Sequence, residues 1–140
     1  GFINENGIAL ENITDMTGIN MAMDDDQWGL NIAISNFEHP ITVGLPSDFH
    51  FGIDSLVGPI LFCQDDEATT LGTVSFNNAR TEPGFCVKEL PDWTSIYVAT
   101  PMLPALLIRR IASRAGAHIY SDAGDVGARE NVAREGDDEI

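Results

Sequence analysis

The chain has 140 residues, 44% of them hydrophobic, and a formal net charge of −15. That length and apolar content suit one folded domain with a real core and exclude a disordered chain. The charge makes nucleic acid and anionic membranes poor partners, and no apolar run is long enough to cross a bilayer. Residues 1–100 hold only two basic residues, Arg80 and Lys88, against fifteen acids. A solvated acidic surface is the plain reading, and a specific cation-binding role is the alternative.

The predicted elements run as follows. Gly1-Phe2-Ile3 opens on apolar residues, and Asn6-Gly7 signals a turn. Ile8 to Thr17 reads as a short helix, stopped by Gly18 with Ile19 as the contact beyond it. Asn12-Ile13-Thr14 matches a glycosylation sequon, in a helix and without a secretory context, which points to chance. Asp24-Asp25-Asp26 reads as a solvated acidic loop, since the spacing of a calcium loop is absent. Trp28 to Ser35 alternates as a strand, and residues 36–40 turn, with Pro40 driving His39 out of the helical region. Ile41 to Pro46 leads into another loop, and His50 follows between Phe49 and Phe51.

Gly58-Pro59 opens a strand, Ile60 to Cys63, with Gln64-Asp65-Asp66-Glu67 at its end. Ala68 to Phe76 and Gly84 to Leu90 read as two antiparallel strands joined by residues 77–83. Asp92 to Thr100 then reads as a strand buried on both faces. Thr100 caps, and Pro101 begins, a helix to Ala115. Its stripe is Leu103, Leu107, Ile111 and Ala115, widened by Leu106, Ile108 and Ala112, with the arginines opposite. Gly116 stops it, and Ala117 to Asp122 follows as a second strand. The spacing predicts a right-handed β-α-β unit around which the rest packs. Residues 127–140 read as an acidic tail or weak helix.

Little chemistry stands out. No nucleophile elbow, phosphate loop, dinucleotide fingerprint or paired-histidine metal motif is present. Cys63 and Cys86 sit in strand-like apolar runs and read as buried free thiols, and two cysteines alone make no zinc site. Asp65, Asp66 and Glu67, at a strand end, are the candidate metal or catalytic carboxylates. Trp93, Tyr97, His118 and Tyr120 are the candidate ligand-binding residues, with Trp28 as a further stacking ring. Aromatic residues in strands are more often core. An enzyme reading would need Cys63 or Cys86 to meet His118 or His50 in space. No catalytic residue and no cofactor is assigned.

Several stretches carry a resemblance, and their order strengthens it. They are His39-Pro40-Ile41-Thr42-Val43-Gly44-Leu45-Pro46, Asp65-Asp66-Glu67-Ala68-Thr69-Thr70-Leu71-Gly72, Trp93 to Tyr97, Leu103 to Leu107, and Gly116 to Val126. Together they resemble the class I glutamine amidotransferase-like domain of bacterial glycoside hydrolase-like proteins, similar to the β-galactosidase trimerisation domain. The resemblance spans roughly residues 1–126.

It implies an α/β, flavodoxin-like sheet with flanking helices and an antiparallel hairpin, lacking the N-terminal part of such a domain. The amidotransferase triad is not recognisable, so no triad residue transfers. The implied role is a non-catalytic accessory or oligomerisation domain of a carbohydrate-active protein. Its partners would be copies of itself, as dimer or trimer, and a glycoside hydrolase domain. The alternatives are a carbohydrate or small-ligand binding module, and a hydrolase or amidotransferase-type enzyme. Residues 1–126 form the expected domain and 127–140 the tail; export is left open.

Overall fold

A computed structural model of the chain describes residues 3–5, 7–77 and 80–117. The chain divides into two units, Gly1–Pro104 and Ala105–Ile140. In the first, β1 (Ile3–Asn4) and β2 (Gly7–Ile8) form a minimal hairpin before α1 (Leu10–Thr17). There follow β3 (Met21–Asp24), β4 (Trp28–Ile34), β5 (His50–Val57), β6 (Ile60–Cys63), β7 (Thr69–Phe76), β8 (Arg80–Glu89) and β9 (Thr94–Val98). β5-β4-β7-β8-β9, in that spatial order, make a five-stranded sheet, and β3 pairs with β6 in a separate ladder. Every ladder is antiparallel. The five-stranded sheet curls into a half-barrel.

This overturns the expected flavodoxin-like α/β fold. Strand makes up 44% and helix 16% of the described residues, too little helix to cover both faces of a parallel sheet. The connections give the physical reason. Residues 77–79 join β7 to β8 and residues 90–93 join β8 to β9. Parallel neighbours need a crossover of a dozen or more residues, so links this short force antiparallel pairing. Pro91 suits the second corner: the Leu90 N–H donates to the Trp93 carbonyl at 2.8 Å, and Thr94 Oγ1 donates to Glu89 Oε2 at 2.6 Å.

The predicted centre moves with the topology. β9 is a strand, but it is the edge of the sheet, and only Ser95 on it is buried. The strand covered on both sides is β8, where five consecutive residues, Gly84 to Lys88, are buried. An apolar run says that both faces are covered; it does not say which strand sits in the middle. β4 buries Leu30, Ile32 and Ile34 at period two, and β7 contributes Leu71, Val74 and Phe76. Phe85 meets Phe51 edge-on, with centroids 6.1 Å apart.

α1 ends as expected. Gly18 takes a left-handed φ of 72°, its N–H donates to the Thr14 carbonyl at 2.7 Å, and Ile19 behind it is fully buried. Residues 36–46 fold into consecutive turns: His39 carbonyl accepts from both Thr42 and Val43 N–H, and Thr42 Oγ1 donates to the Asn36 carbonyl at 2.6 Å. Two strands were not legible. β3 lies where the acidic loop was expected to begin, and β5 runs six residues past Phe51, with Gly52, Asp54 and Ser55 interrupting its alternation.

In the second unit, α2 spans Ala105–Arg114 and not the predicted residues 101–115. Pro101 and Pro104 lack N–H groups, and Pro104 holds Leu103 out of the helical region, so the helix starts only after the second proline. Thr100 is therefore no helix cap; its Oγ1 accepts from Met102 N–H at 3.4 Å. Leu107 is fully buried, while Leu106 and Ile108, read as part of the stripe, are exposed. Gly116, at φ 84°, supplies the expected stop. The predicted strand beyond it and the tail lie outside the described residues.

The sheet tests itself at two glycines. At Gly52, φ is 151° and an added Cβ would stand 2.0 Å from the Leu30 carbonyl oxygen; at Gly44, φ is 76° and the space is open. Urea unfolding should show Gly52→Ala costing about 3 kcal/mol or more, because backbone must move as well as strain. Gly44→Ala should cost only about 1 kcal/mol, the strain alone. Equal costs would contradict the close approach of β5 to β4.

Candidate functional site

An open cleft of about 470 Å³ lies beside the ends of β6, β7 and β8. One wall is built on Arg80, the first residue of β8. Its guanidinium lies over two rings, 5.5 Å from the centroid of Phe62 and 5.2 Å from that of Phe76. Arg80 Nη1 donates to Asp24 Oδ2 at 2.6 Å, and Nε donates to Glu82 Oε1 at 3.2 Å. Two carboxylates thus balance this cation, and the rings fix its plane. It is a polar wall with no excess positive charge of its own.

The other wall is the segment after β6. The carboxylate of Asp65, one of its residues, is held by three donors. Lys88 Nζ donates to Oδ2 at 2.8 Å, Asn20 N–H donates to the same oxygen at 2.9 Å, and Glu67 N–H donates to Oδ1 at 3.0 Å. The Gln64 N–H also donates to the Asn20 carbonyl, at 2.8 Å. Burial pushes the Asp65 carboxyl up, but the Lys88 and backbone hydrogen bonds outweigh it and hold the group below the usual carboxylate range. The hydrogen bond to Asp65 raises the Lys88 ammonium above its ordinary value. Glu67 Oε2 adds a second contact to Lys88 at 3.3 Å, but its side chain is 82% exposed and screened.

The candidate metal trio is therefore divided. Asp65 faces Lys88, while Asp66 and Glu67 are exposed. Among the described residues, no three His, Cys, Asp or Glu side chains converge to hold an ion. Of the candidate ligand residues, the described ones, Trp93 and Tyr97, do not line the cleft. Tyr97 donates its hydroxyl to the Leu61 carbonyl at 2.7 Å and packs against Cys63 and Cys86. Burial raises its phenol well above the ordinary value. Trp93 is half-exposed at the β8–β9 corner, and Trp28 is partly exposed at the start of β4. His118 and Tyr120 lie outside the described residues. His39 Nδ1 accepts the Ile41 N–H at 3.2 Å, and His50 Nδ1 lies 2.9 Å from the Asp48 carbonyl, so each ring bonds within its own turn.

Arg80 and Lys88 were missed as site residues. The signal was available: they are the only cations among fifteen acids in residues 1–100, and Lys88 interrupts the apolar run Phe85-Cys86-Val87. A cation buried in a strand needs an acid opposite it. No family model, no curated protein and no solved structure matches this chain.

The Lys88–Asp65 pair predicts a pH signature. Asp65, with its pKa depressed, contributes stability above its unfolded pKa of about 4 and loses it as pH falls through the folded value. Lys88, with its pKa raised, contributes below its unfolded pKa of about 10.4 and loses it as pH rises through the folded value. Lys88→Met should therefore lower the urea midpoint at neutral pH. The gap from the parent chain should narrow in acid below about pH 4 and in alkali above about pH 10.5. A gap that does not change with pH would remove the ion pair from the account.

Proposed function

We propose that this chain is a non-catalytic accessory module that associates with a second copy of itself, within a carbohydrate-active protein of the kind its sequence resembles. The observation that carries this reading is the outer edge of β5. β5 is an eight-residue edge strand, and among the described residues nothing pairs with its outer side. At its far end Leu56 is 70% exposed, and Trp28, opposite neighbouring Val57, is 41% exposed. A long edge with apolar side chains is a template for another strand. Two copies of β5 meeting antiparallel about a twofold axis would satisfy both edges in a closed dimer.

The reactive groups support the non-catalytic part. Asp65, Lys88, Tyr97, His39 and His50 are engaged in internal hydrogen bonds. A second reading, a small polar ligand or sugar in the cleft, is favoured by Arg80, which Phe62 and Phe76 hold in a fixed plane. Calorimetry against a sugar panel addresses it, with saturable heats lost in Arg80→Ala as the supporting result.

Light scattering across a dilution series tests the association reading. The chain should run as a dimer that dissociates on dilution. Leu56→Lys should run as a monomer with unchanged far-ultraviolet dichroism, since the side chain it replaces is mostly in water. A parent chain that is monomeric at every concentration overturns the proposal.

A further inference from the structure

The cleft has a feature that the proposed association does not use. Cys63, the last residue of β6, lines it, and Cys86, in the middle of β8, lies in the core against Cys63. Both are free thiols, 3% and 0% exposed, and both belong to one buried cluster with Ile13, Ile19 and Met21. The two cysteine side chains pack together in that cluster, from β6 and from β8. Thr70 Oγ1 is 3.9 Å from Cys86 Sγ on the neighbouring strand. β6 and β8 have no backbone ladder between them, so this sulfur contact lies between two strands held by side chains alone.

We propose that Cys63 and Cys86 are a redox pair, which a small-molecule disulfide entering the cleft oxidises to an intramolecular disulfide. Cys63 is the attacking residue and Cys86 the resolving one. The Cys63 thiolate, its proton released to water, attacks one sulfur of the oxidant and expels the other half as a thiol. Cys86 then loses its proton and attacks the Cys63 sulfur of the mixed disulfide, expelling the second half. Two cysteine protons and two electrons pass to the oxidant, which leaves as two thiols.

The surroundings order the two thiols in the required sense. The neighbouring Cys86 thiol, with the Asp65 backbone N–H and the Lys88 charge, holds Cys63 below its ordinary value against burial and the Asp65 carboxylate. The neighbouring Cys63 thiol and burial push Cys86 up, so it stays protonated until Cys63 is capped. Asp66 and Glu82 at the cleft, on a chain of net charge −15, favour a cationic oxidant over an anionic one.

The probe is cystamine, a small dicationic disulfide, added to the reduced, folded chain under native conditions. The intact mass should fall by two hydrogens. A non-reduced tryptic map should join the peptide that follows Arg80, carrying Cys86, to the one carrying Cys63. Thermal unfolding should then shift upward on the order of 10 °C, because the bond closes residues 63–86 in the unfolded chain. Cys86→Ser should stop at one cysteamine on Cys63, while Cys63→Ser should take up none. If either variant misfolds, timed alkylation of the parent chain keeps the test open, with Cys63 expected to react before Cys86. Retention of both thiols, an intermolecular bridge, or first reaction at Cys86 would each overturn the proposal. This outcome is independent of whether the chain dimerises.

Discussion

The structure depends on β8 being packed from both sides. One side belongs to the curled sheet, with Phe85 against Phe51. From the other side, side-chain ties join the β3–β6 pair to the larger sheet: the Arg80–Asp24 ion pair at 2.6 Å and four more. The four are Arg80 over Phe62, Cys86 against Cys63, Lys88 to Asp65, and Tyr97 to the Leu61 carbonyl. The first three come from β8 and alternate along it, as residues on one face of a strand must. Tyr97 stands opposite Cys86 in the register, so it joins the same row. No backbone hydrogen bond of a ladder spans this junction.

That constraint explains why so many chemically able residues are silent. A lysine, an aspartate and a tyrosine would be an active-site inventory in an open pocket. Here each is spent on holding two sheets together. Removing one partner leaves a polar group without its bond, which is why such groups occur in pairs. The cleft forms beside this junction, so its walls are polar on the Arg80 side and thiol-bearing on the other. Gly84 serves the curl of the larger sheet itself: a Cβ there would stand 2.7 Å from Val74 Cβ on β7 and 2.8 Å from Ile32 Cδ1 on β4, so these strands close over β8 only because that position is bare.

Much of the local structure was legible in the sequence. Alternation at Leu30, Ile32 and Ile34 marked β4, Gly18 marked the end of α1, and the pairing of β7 with β8 followed from two strand-like runs with a turn between them. The order of strands in space was not legible. Asp92 to Thr100 reads the same whether it lies inside a parallel sheet or at the edge of an antiparallel one, and only the length of the link at Leu90–Trp93 distinguishes them. Pro104 carried the true start of α2, but the apolar spacing before it masked the signal. At the site, the cysteines were correctly read as buried and free, yet their meeting depends on β6 and β8 crossing, which has no local sequence mark. Lys88 and Arg80 are visible as isolated cations, but the acids that balance them, Asp65 and Asp24, lie 23 and 56 residues away along the chain.

Native-state hydrogen exchange tests the central claim most directly, that the β3–β6 pair is docked on β8 by side chains alone. The account predicts that amides of Met21–Asp24 and Ile60–Cys63 open at a lower free energy than those of β7 and β8, as a separate unit. A single opening free energy shared by β6 and β8, reached only by global unfolding, would contradict it.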